Sequence, residues 1–136
     1  MPRLLGIDYG RVRIGLAVCD DLGISTTALG FVRRESDALA AVIVAAIAKR
    51  EGAQALVIGL PLHAHGAEGG NVRWVRAFSA ELAKLCTLPV HEVDERYTST
   101  EAEAQLRAEG TWPAPHGAVD ARCAAILLRR YLDGEH

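Results

Sequence analysis

The sequence has 136 residues, half of them hydrophobic, and a formal net charge of −2 at pH 7. This length suits one domain with a real core, and the apolar content excludes an intrinsically disordered chain. The near-neutral charge argues against generic coating of nucleic acid, although it leaves a local basic face open.

The first quarter of the chain predicts three antiparallel strands. Residues 3–9 are apolar and rich in β-formers, and residues 13–19 form a second strand so close behind that the pair is a hairpin. Residues 20–23 have the composition of a turn. Residues 25–33 alternate loosely and are predicted to complete a three-stranded meander.

A helix and a buried strand follow. Ser36 is a candidate N-cap before a helix that ends near Gly52. Apolar side chains at helical spacing predict its packing face: Leu39, Val42, Ile43, Ala46 and Ile47. Residues 54–60 contain an unbroken apolar run, which is typical of a parallel strand covered on both faces.

The second half predicts three more helices and one strand. A helix runs from Asn71 to about Leu85, and residues 88–93 form a strand. Thr98 and Glu101, three residues apart, are interpreted as a capping box that starts a helix ending near residue 108. The last helix covers residues 118–132.

The order of these elements predicts an α/β fold. The meander and two parallel strands form one mixed sheet of five strands flanked by helices, in a single domain spanning residues 1–136. Both crossovers are expected to be right-handed. The first strand lies centrally, next to residues 54–60, so a site is expected where these parallel strands end.

Acids from distant parts of the chain are expected to meet at this edge of the sheet. Asp8 ends the first strand, Asp94 and Glu95 end the last strand, and Asp120 lies in the first turn of the final helix. Oxygen ligands suit Mg²⁺ or Mn²⁺, and two such ions about 3.5–4 Å apart can promote phosphodiester hydrolysis.

Each acid also has a plainer interpretation. An aspartate at the end of a strand commonly forms a turn, and Asp120 can simply complement the helix dipole. Glu95 can pair with Arg96 or Arg122 in a surface ion pair. The metal hypothesis therefore depends on several chain ends meeting on one side of the sheet.

Four segments together resemble the YqgF family (also called RuvX), which has a ribonuclease H-like fold and is related to the RuvC Holliday-junction resolvase. The matching segments, in chain order, are Gly6-Ile7-Asp8-Tyr9-Gly10 with Arg13-Ile14-Gly15-Leu16-Ala17; Gly59-Leu60-Pro61-Leu62 with Gly66 and Glu68-Gly69; Asp94-Glu95-Arg96 with Thr98-Ser99 and Glu101-Ala102; and Val119-Asp120 with Ala124-Ala125 and Ile126-Leu127.

The resemblance implies a metal-dependent nuclease whose catalytic and metal-binding acids are Asp8, Glu95 and Asp120. It implies maturation of the 5′ end of pre-16S ribosomal RNA or, alternatively, Holliday-junction cleavage. Arg13 and Arg96 are expected either to contact phosphate or to pair with a site carboxylate. For Asp94, the expected role is to orient Arg96 or hold the loop.

The chain departs from the family pattern at positions that could contact phosphate. Val12 stands where the family often has lysine. His63 and His65 stand where the loop usually has asparagine and aspartate, and residues 115–118 lack the usual basic residues. We interpret His63 and His65 as substrate or solvent contacts rather than zinc ligands, because no third soft ligand lies nearby.

Two tryptophans have two interpretations each. Trp74 is flanked by Arg73 and Arg76, a basic and aromatic cluster that could stack bases and bind the backbone; the alternative is a solvated helix face. Trp112 is either a loop anchor or a substrate platform.

Three functions remain open at this point. The first is an endonuclease acting on precursor rRNA, with the small ribosomal subunit as a possible partner. The second is a resolvase of branched DNA, which requires two active sites and therefore a homodimer. The third is a non-catalytic RNA- or ribosome-binding factor.

The cellular setting is also predicted. Three cysteines without a C-x-x-C pair indicate reduced thiols in a cytoplasmic protein. No apolar run approaches the roughly 18 residues of a membrane span, so no membrane partner is expected.

Overall fold

A computed structural model describes residues 3–62 and 71–134. Within these residues the chain forms five strands and four helices. The strands are β1 (Leu4–Asp8), β2 (Arg13–Cys19), β3 (Thr26–Arg33), β4 (Ala55–Leu60) and β5 (Val90–Asp94). The helices are α1 (Asp37–Arg50), α2 (Val72–Ala83), α3 (Thr98–Ala108) and α4 (Ala118–Leu132).

The strands form one mixed sheet in the order β3-β2-β1-β4-β5. β1 is antiparallel to β2 and parallel to β4, and β4 is parallel to β5. In this register Asp8 lies opposite Gly15, and Leu60 pairs with Asp94. The predicted five-stranded mixed sheet is confirmed, and the carboxyl ends of β1, β4 and β5 meet at one edge.

Helices cover both faces of the sheet. The face under α1 and α2 buries large side chains, which include Leu5, Ile7, Ile14, Leu56, Ile58 and Phe78. The opposite face, under α4, buries a smaller set that includes Ala17, Val57, Ala124, Leu127 and Leu128. α3 lies against α4 through Ala102, Cys123 and Ile126.

The predicted packing face of α1 is wrong except for Ile47, which packs against the core while partly buried. The buried residues are Ala40, Ala41, Val44 and Ala48, while Leu39, Val42 and Ile43 are 48%, 51% and 39% exposed. Every residue from 38 to 48 is apolar, so the periodicity could not select one side. The helix places its small side chains against the sheet, which allows a close approach. In α2 the predicted face is buried except for Leu85, which lies beyond the end of the helix and is exposed.

The predicted capping box is also wrong. Thr98 lies inside the first turn of α3, where it is buried and its hydroxyl donates to the backbone carbonyl of Glu95 at 2.9 Å. The N-cap is Tyr97, in the left-handed region with φ 64°, and its side chain makes no capping bond. The threonine therefore ties α3 back to the end of β5.

All three cysteines are free thiols, and Cys19 and Cys123 are buried, as predicted. No helix in the described ranges has both the length and the apolar character required to cross a membrane.

Candidate active site

A glycine lets the first turn of α4 reach the sheet beside Asp8. Gly15 lies opposite Asp8 across β1 and β2. A Cβ atom on Gly15 would overlap the backbone carbonyl of Asp120. The helix therefore lies directly on the strand, which brings Asp120 to the end of β1.

A second glycine makes room for Glu95. The backbone N–H of Glu95 donates to the carbonyl of Leu60 at 3.1 Å, which fixes the residue just beyond β5. A Cβ on Gly59 would lie 3.0 Å from the Cβ of Glu95 and 3.2 Å from its Oε2. The Glu95 side chain thus passes over Gly59 and forms a hydrogen bond with the carboxyl group of Asp8.

The pKa of the Asp8 carboxyl is raised well above its usual range. Burial is the largest cause; the negative charge of Glu95, the hydrogen bond with Glu95 and the charge of Asp120 act in the same direction. Burial also raises the pKa of Glu95, partly offset by the hydrogen bond from Asp8. Burial and this mutual repulsion therefore disfavour a negative charge on Asp8 more strongly than on Glu95.

Asp120 is held by Arg13. The guanidinium Nε of Arg13 donates to Oδ2 of Asp120 at 2.9 Å, and its Nη1 lies 3.2 Å from Nε2 of His116. Of the two roles predicted for Arg13, the structure shows the pairing with a site carboxylate. This ion pair joins β2 to the start of α4.

The donor chemistry of these acids fits a hard divalent cation. Asp8 and Glu95 offer carboxylate oxygens, and a cation between them would offset the repulsion of their negative charges. Within residues 3–62 and 71–134, however, no three His, Cys, Asp or Glu side chains are close enough together to form a ready-made metal site. The structure thus brings two of the three predicted ligands into contact and turns the third, Asp120, towards Arg13.

Asp94 pairs with Arg96 and does not join the carboxyl pair of Asp8 and Glu95. The backbone N–H of Arg96 donates to Oδ1 of Asp94 at 2.9 Å, and its Nε donates to Oδ2 at 2.6 Å. This geometry matches the expected role of Asp94 in orienting Arg96. Arg122, considered as a partner for Glu95, instead pairs with Glu109 at the C-cap of α3.

The cluster around Trp74 differs from the one predicted. The cation over the Trp74 ring is Arg11, from the turn after β1, with its guanidinium carbon 4.7 Å from the ring centroid. Arg76 instead pairs with Glu92 at 3.5 Å, and Arg73 is exposed. His63 and His65 lie outside the described residues.

Sequence reasoning missed Tyr9 and Arg11 as parts of this region. The Tyr9 hydroxyl donates to Oδ1 of Asp37 at 2.6 Å and accepts from Nη1 of Arg11 at 3.1 Å. Burial, followed by the bond to Asp37, raises the pKa of Tyr9. The only local signal was the position of Tyr9 directly after Asp8, because Asp37 is 28 residues away.

Comparisons with known proteins identify the family. The model of the RuvX family, described as Holliday junction resolvase, matches residues 2–134. The chain belongs to the RuvX family. The resemblance seen in the four sequence segments is therefore confirmed, and it extends over nearly the whole chain.

Curated relatives in the RuvX family cover similar lengths. A protein from Synechococcus elongatus is 42% identical over 130 residues, which are 95% of this chain and 87% of the relative. One from Anaeromyxobacter sp. (strain Fw109-5) is 41% identical over 135 residues, 98% of each chain. Both carry the provisional name pre-16S rRNA nuclease.

Solved structures confirm the ribonuclease H-like fold of this RuvX-family chain. RuvC from Thermus thermophilus, in complex with a Holliday junction substrate, superposes with a TM-score of 0.64 at 17% identity, covering 98% of this chain and 95% of RuvC. A fowlpox virus resolvase, bound to Holliday junction DNA, has a TM-score of 0.61 at 10% identity and covers 97% of both chains.

Proposed function

We propose that this RuvX-family chain is a metal-dependent endonuclease that hydrolyses phosphodiester bonds of structured nucleic acid. Its proposed substrate is the 5′ end of pre-16S rRNA, the molecule named in its curated relatives. The observation that carries the proposal is the hydrogen-bonded carboxyl pair of Asp8 and Glu95 beside Asp120. Such a pair is unfavourable unless a proton or a cation neutralises it.

The proposed ligands of the metal are Asp8, Glu95 and Asp120. When bound, Mg²⁺ or Mn²⁺ would stabilise negative charge on the phosphate and help to activate a water molecule, and a pair of ions would do both at once. In the protein itself, Asp8 and Glu95 hold negative charge at the end of β1, and Arg13 fixes the orientation of the Asp120 carboxylate. Arg13 is proposed as a positioning residue for Asp120.

Arg96 is proposed to face the substrate backbone from the end of β5. Asp94 fixes it through its backbone N–H and its guanidinium. An arginine held in this way can meet a phosphate without first ordering its side chain. In the same proposal the protein acts in the cytoplasm, on precursor rRNA of the small ribosomal subunit.

A second candidate function is resolution of branched DNA. The description of the RuvX family and the two Holliday-junction complexes among its structural neighbours favour it. Because a junction is cut on two opposed strands, this function requires two active sites and hence a homodimer. Measuring the oligomeric state alongside the substrate assay therefore helps to separate the two candidates.

The test is a cleavage assay with Mg²⁺, Mn²⁺ or EDTA on three labelled substrates: a pre-16S rRNA fragment, a single-stranded RNA and a four-way DNA junction. We expect metal-dependent cleavage of the rRNA fragment by the wild type. Asp8→Asn and Asp120→Asn should lower the rate on the order of a thousandfold. The matched control is Asp133→Asn at the C-cap of α4, where Asp133 forms an ion pair with Arg129 at 3.2 Å.

The outcomes discriminate between the functions. Preferred cleavage of the junction by a dimer would replace rRNA with branched DNA as the substrate. Binding of rRNA without any cleavage would favour the non-catalytic factor. Cleavage that persists unchanged in both Asp8→Asn and Asp120→Asn would contradict the site assignment.

A further inference from the structure

A cavity of about 260 Å³ opens next to the carboxyl pair, with Glu95 in its lining. Its walls come from the turn after β1, the end of β4, the start of α2 and the end of β5. The polar and aromatic residues that line it include Tyr9, Arg11, Asn71, Trp74 and Glu95. Since Glu95 contacts Asp8 and also lines this cavity, a group bound in it lies directly beside the proposed site of hydrolysis.

An aromatic surface lines the cavity. Trp74 is 42% exposed, although its helix neighbours Val75 and Phe78 are 2% and 0% exposed. The helix is thus fixed by its buried side while the indole remains accessible. An exposed tryptophan on a rigid helix is a suitable surface for stacking a base, because every nucleobase presents a π-face.

A fixed cation accompanies the indole. The Arg11 guanidinium lies 4.7 Å from the Trp74 ring centroid and donates to the Tyr9 hydroxyl at 3.1 Å. Tyr9 in turn donates to Asp37, which Arg34 also contacts at 3.3 Å. This chain of contacts anchors Arg11 to α1, so the charge stays at the mouth of the cavity.

We propose that this cavity binds one unpaired nucleotide adjacent to the scissile phosphate, with its base on Trp74 and a phosphate oxygen on Arg11. The proposal rests on the nuclease function above and specifies its substrate further. At about 260 Å³ the cavity is smaller than the roughly 300–1,000 Å³ of common small-molecule pockets, so its size suits a single base. A base inside a duplex is stacked on both sides and cannot reach the indole.

The chain contains a matched control for this arrangement. Trp112 also lies under an arginine, with the Arg107 guanidinium carbon 4.3 Å from its ring centroid, and it is 37% exposed. It lies between α3 and α4 and does not line the cavity. Removing it tests the general effect of losing a partly exposed, arginine-stacked tryptophan.

The experiment measures binding by fluorescence anisotropy in EDTA, where metal-dependent cleavage cannot occur. The probes are a short single-stranded RNA, the same RNA fully paired, and a single-stranded DNA of the same sequence. Trp74→Leu should weaken binding of the single-stranded RNA about 5- to 150-fold, the range of one lost stacking contact. Trp74→Phe should retain most of the affinity, and neither Trp112→Leu nor the paired probe should show a comparable loss.

A second readout does not depend on truncating Trp74. In a Trp112→Phe background, Trp74 is the remaining tryptophan, and the proposal predicts that single-stranded RNA quenches its emission while the duplex does not. Comparable quenching by single-stranded DNA would extend the site to unpaired nucleotides of either sugar. Quenching by RNA alone would restrict it to RNA.

Three results would overturn the inference: no binding of any single-stranded probe by the wild type, equal losses for Trp74→Leu and Trp112→Leu, or single-stranded binding that is unchanged in Trp74→Leu. If cleavage still requires metal and Asp8 in that case, the nuclease function stands and only the nucleotide site is wrong. If cleavage is absent but the Trp74 effects are present, the nucleotide site stands as a binding site and the nuclease function is wrong.

Discussion

The two faces of the sheet are packed in different ways, although the same strands supply both. Towards α1 and α2, strands β2 and β4 bury Ile14 and Ile58, each fully enclosed. Towards α4, the next residues along these strands are Gly15 and Gly59, against which Asp120 and Glu95 lie. At these positions the α1/α2 face carries large buried side chains, whereas the α4 face carries glycines that have no side chain.

This difference separates stability from positioning. Large apolar side chains in a close-packed layer contribute most of the burial that stabilises a fold. Glycines contribute little burial, but they allow backbones and side chains to approach within a distance that no Cβ permits. We infer that the α1/α2 face holds the fold together, whereas the α4 face positions the acids.

Among variants of the two faces, Gly15→Ala is expected to have the largest effect on both stability and cleavage. The new Cβ would overlap the backbone carbonyl of Asp120, which cannot move without shifting the first turn of α4. We expect a loss of about 3 kcal/mol or more in unfolding free energy. The displaced Asp120 should also lower the cleavage rate about a hundredfold. Urea denaturation and single-turnover cleavage measure the two effects.

The control for Gly15→Ala is its neighbour on the opposite face. Ile14→Val should lower the unfolding free energy by about 0.5–1.5 kcal/mol, because it leaves a small cavity in the α1/α2 core. The cleavage rate of the folded protein should not change. If Ile14→Val impaired cleavage as much as Gly15→Ala, the two faces would not have separate roles.

A more selective effect is expected for Gly59→Ala. Its Cβ would lie 2.9 Å from Cδ1 of Leu127 and 3.0–3.2 Å from Glu95, so both side chains must shift by a few tenths of an ångström, and none of these three nearest atoms belongs to the backbone. We expect a stability change within about 1 kcal/mol, since reduced chain entropy in the unfolded state offsets the strain.

The activity of Gly59→Ala should fall about 10- to 100-fold, because Glu95 is displaced from Asp8. The matched control is Ile58→Val on the other face, which should lower stability and leave the rate of the folded protein intact. Full activity in Gly59→Ala would show that the approach of Glu95 to this glycine is unimportant for catalysis.

The smallest effect concerns backbone strain beside the site. Tyr97, at the start of α3, is the one non-glycine residue with positive φ in the described ranges, and its side chain is 69% exposed. Tyr97→Asn should raise the unfolding free energy by about 0.5–1 kcal/mol, because asparagine tolerates this conformation better. Thermal unfolding measures the gain; a decrease would show that contacts of the tyrosine ring outweigh the strain.

The sequence was sufficient to predict the order of the strands and helices and the five-stranded mixed sheet. The hairpin was visible in the short gap between two apolar runs, and the buried parallel strand in the unbroken apolar residues 55–58. Periodicity failed in α1, where every residue from 38 to 48 is apolar and the choice of face depends on how closely the helix approaches the sheet. The capping box failed because tertiary packing buries Thr98 and uses its hydroxyl elsewhere.

The contacts within the site were less accessible to sequence reasoning. The meeting of strand ends placed Asp8 near Glu95. Pairing with a site carboxylate was one of the two roles predicted for Arg13, but the sequence did not indicate that this carboxylate would be Asp120, 107 residues away. Trp74 was recognised as a candidate base-stacking residue, yet its cation comes from Arg11 rather than from its neighbours along α2. Such pairings depend on side-chain geometry between separate elements.

Calorimetric titration of Mn²⁺ into the metal-free protein directly tests the proposal that Asp8 and Glu95 hold a divalent cation. The wild type and the Asp133→Asn control should bind Mn²⁺ with the same affinity. Asp8→Asn should weaken binding at least about a hundredfold, since even the loss of a group that orients a ligand weakens metal affinity about 10- to 100-fold. Unchanged Mn²⁺ affinity in a folded Asp8→Asn variant would contradict the claim.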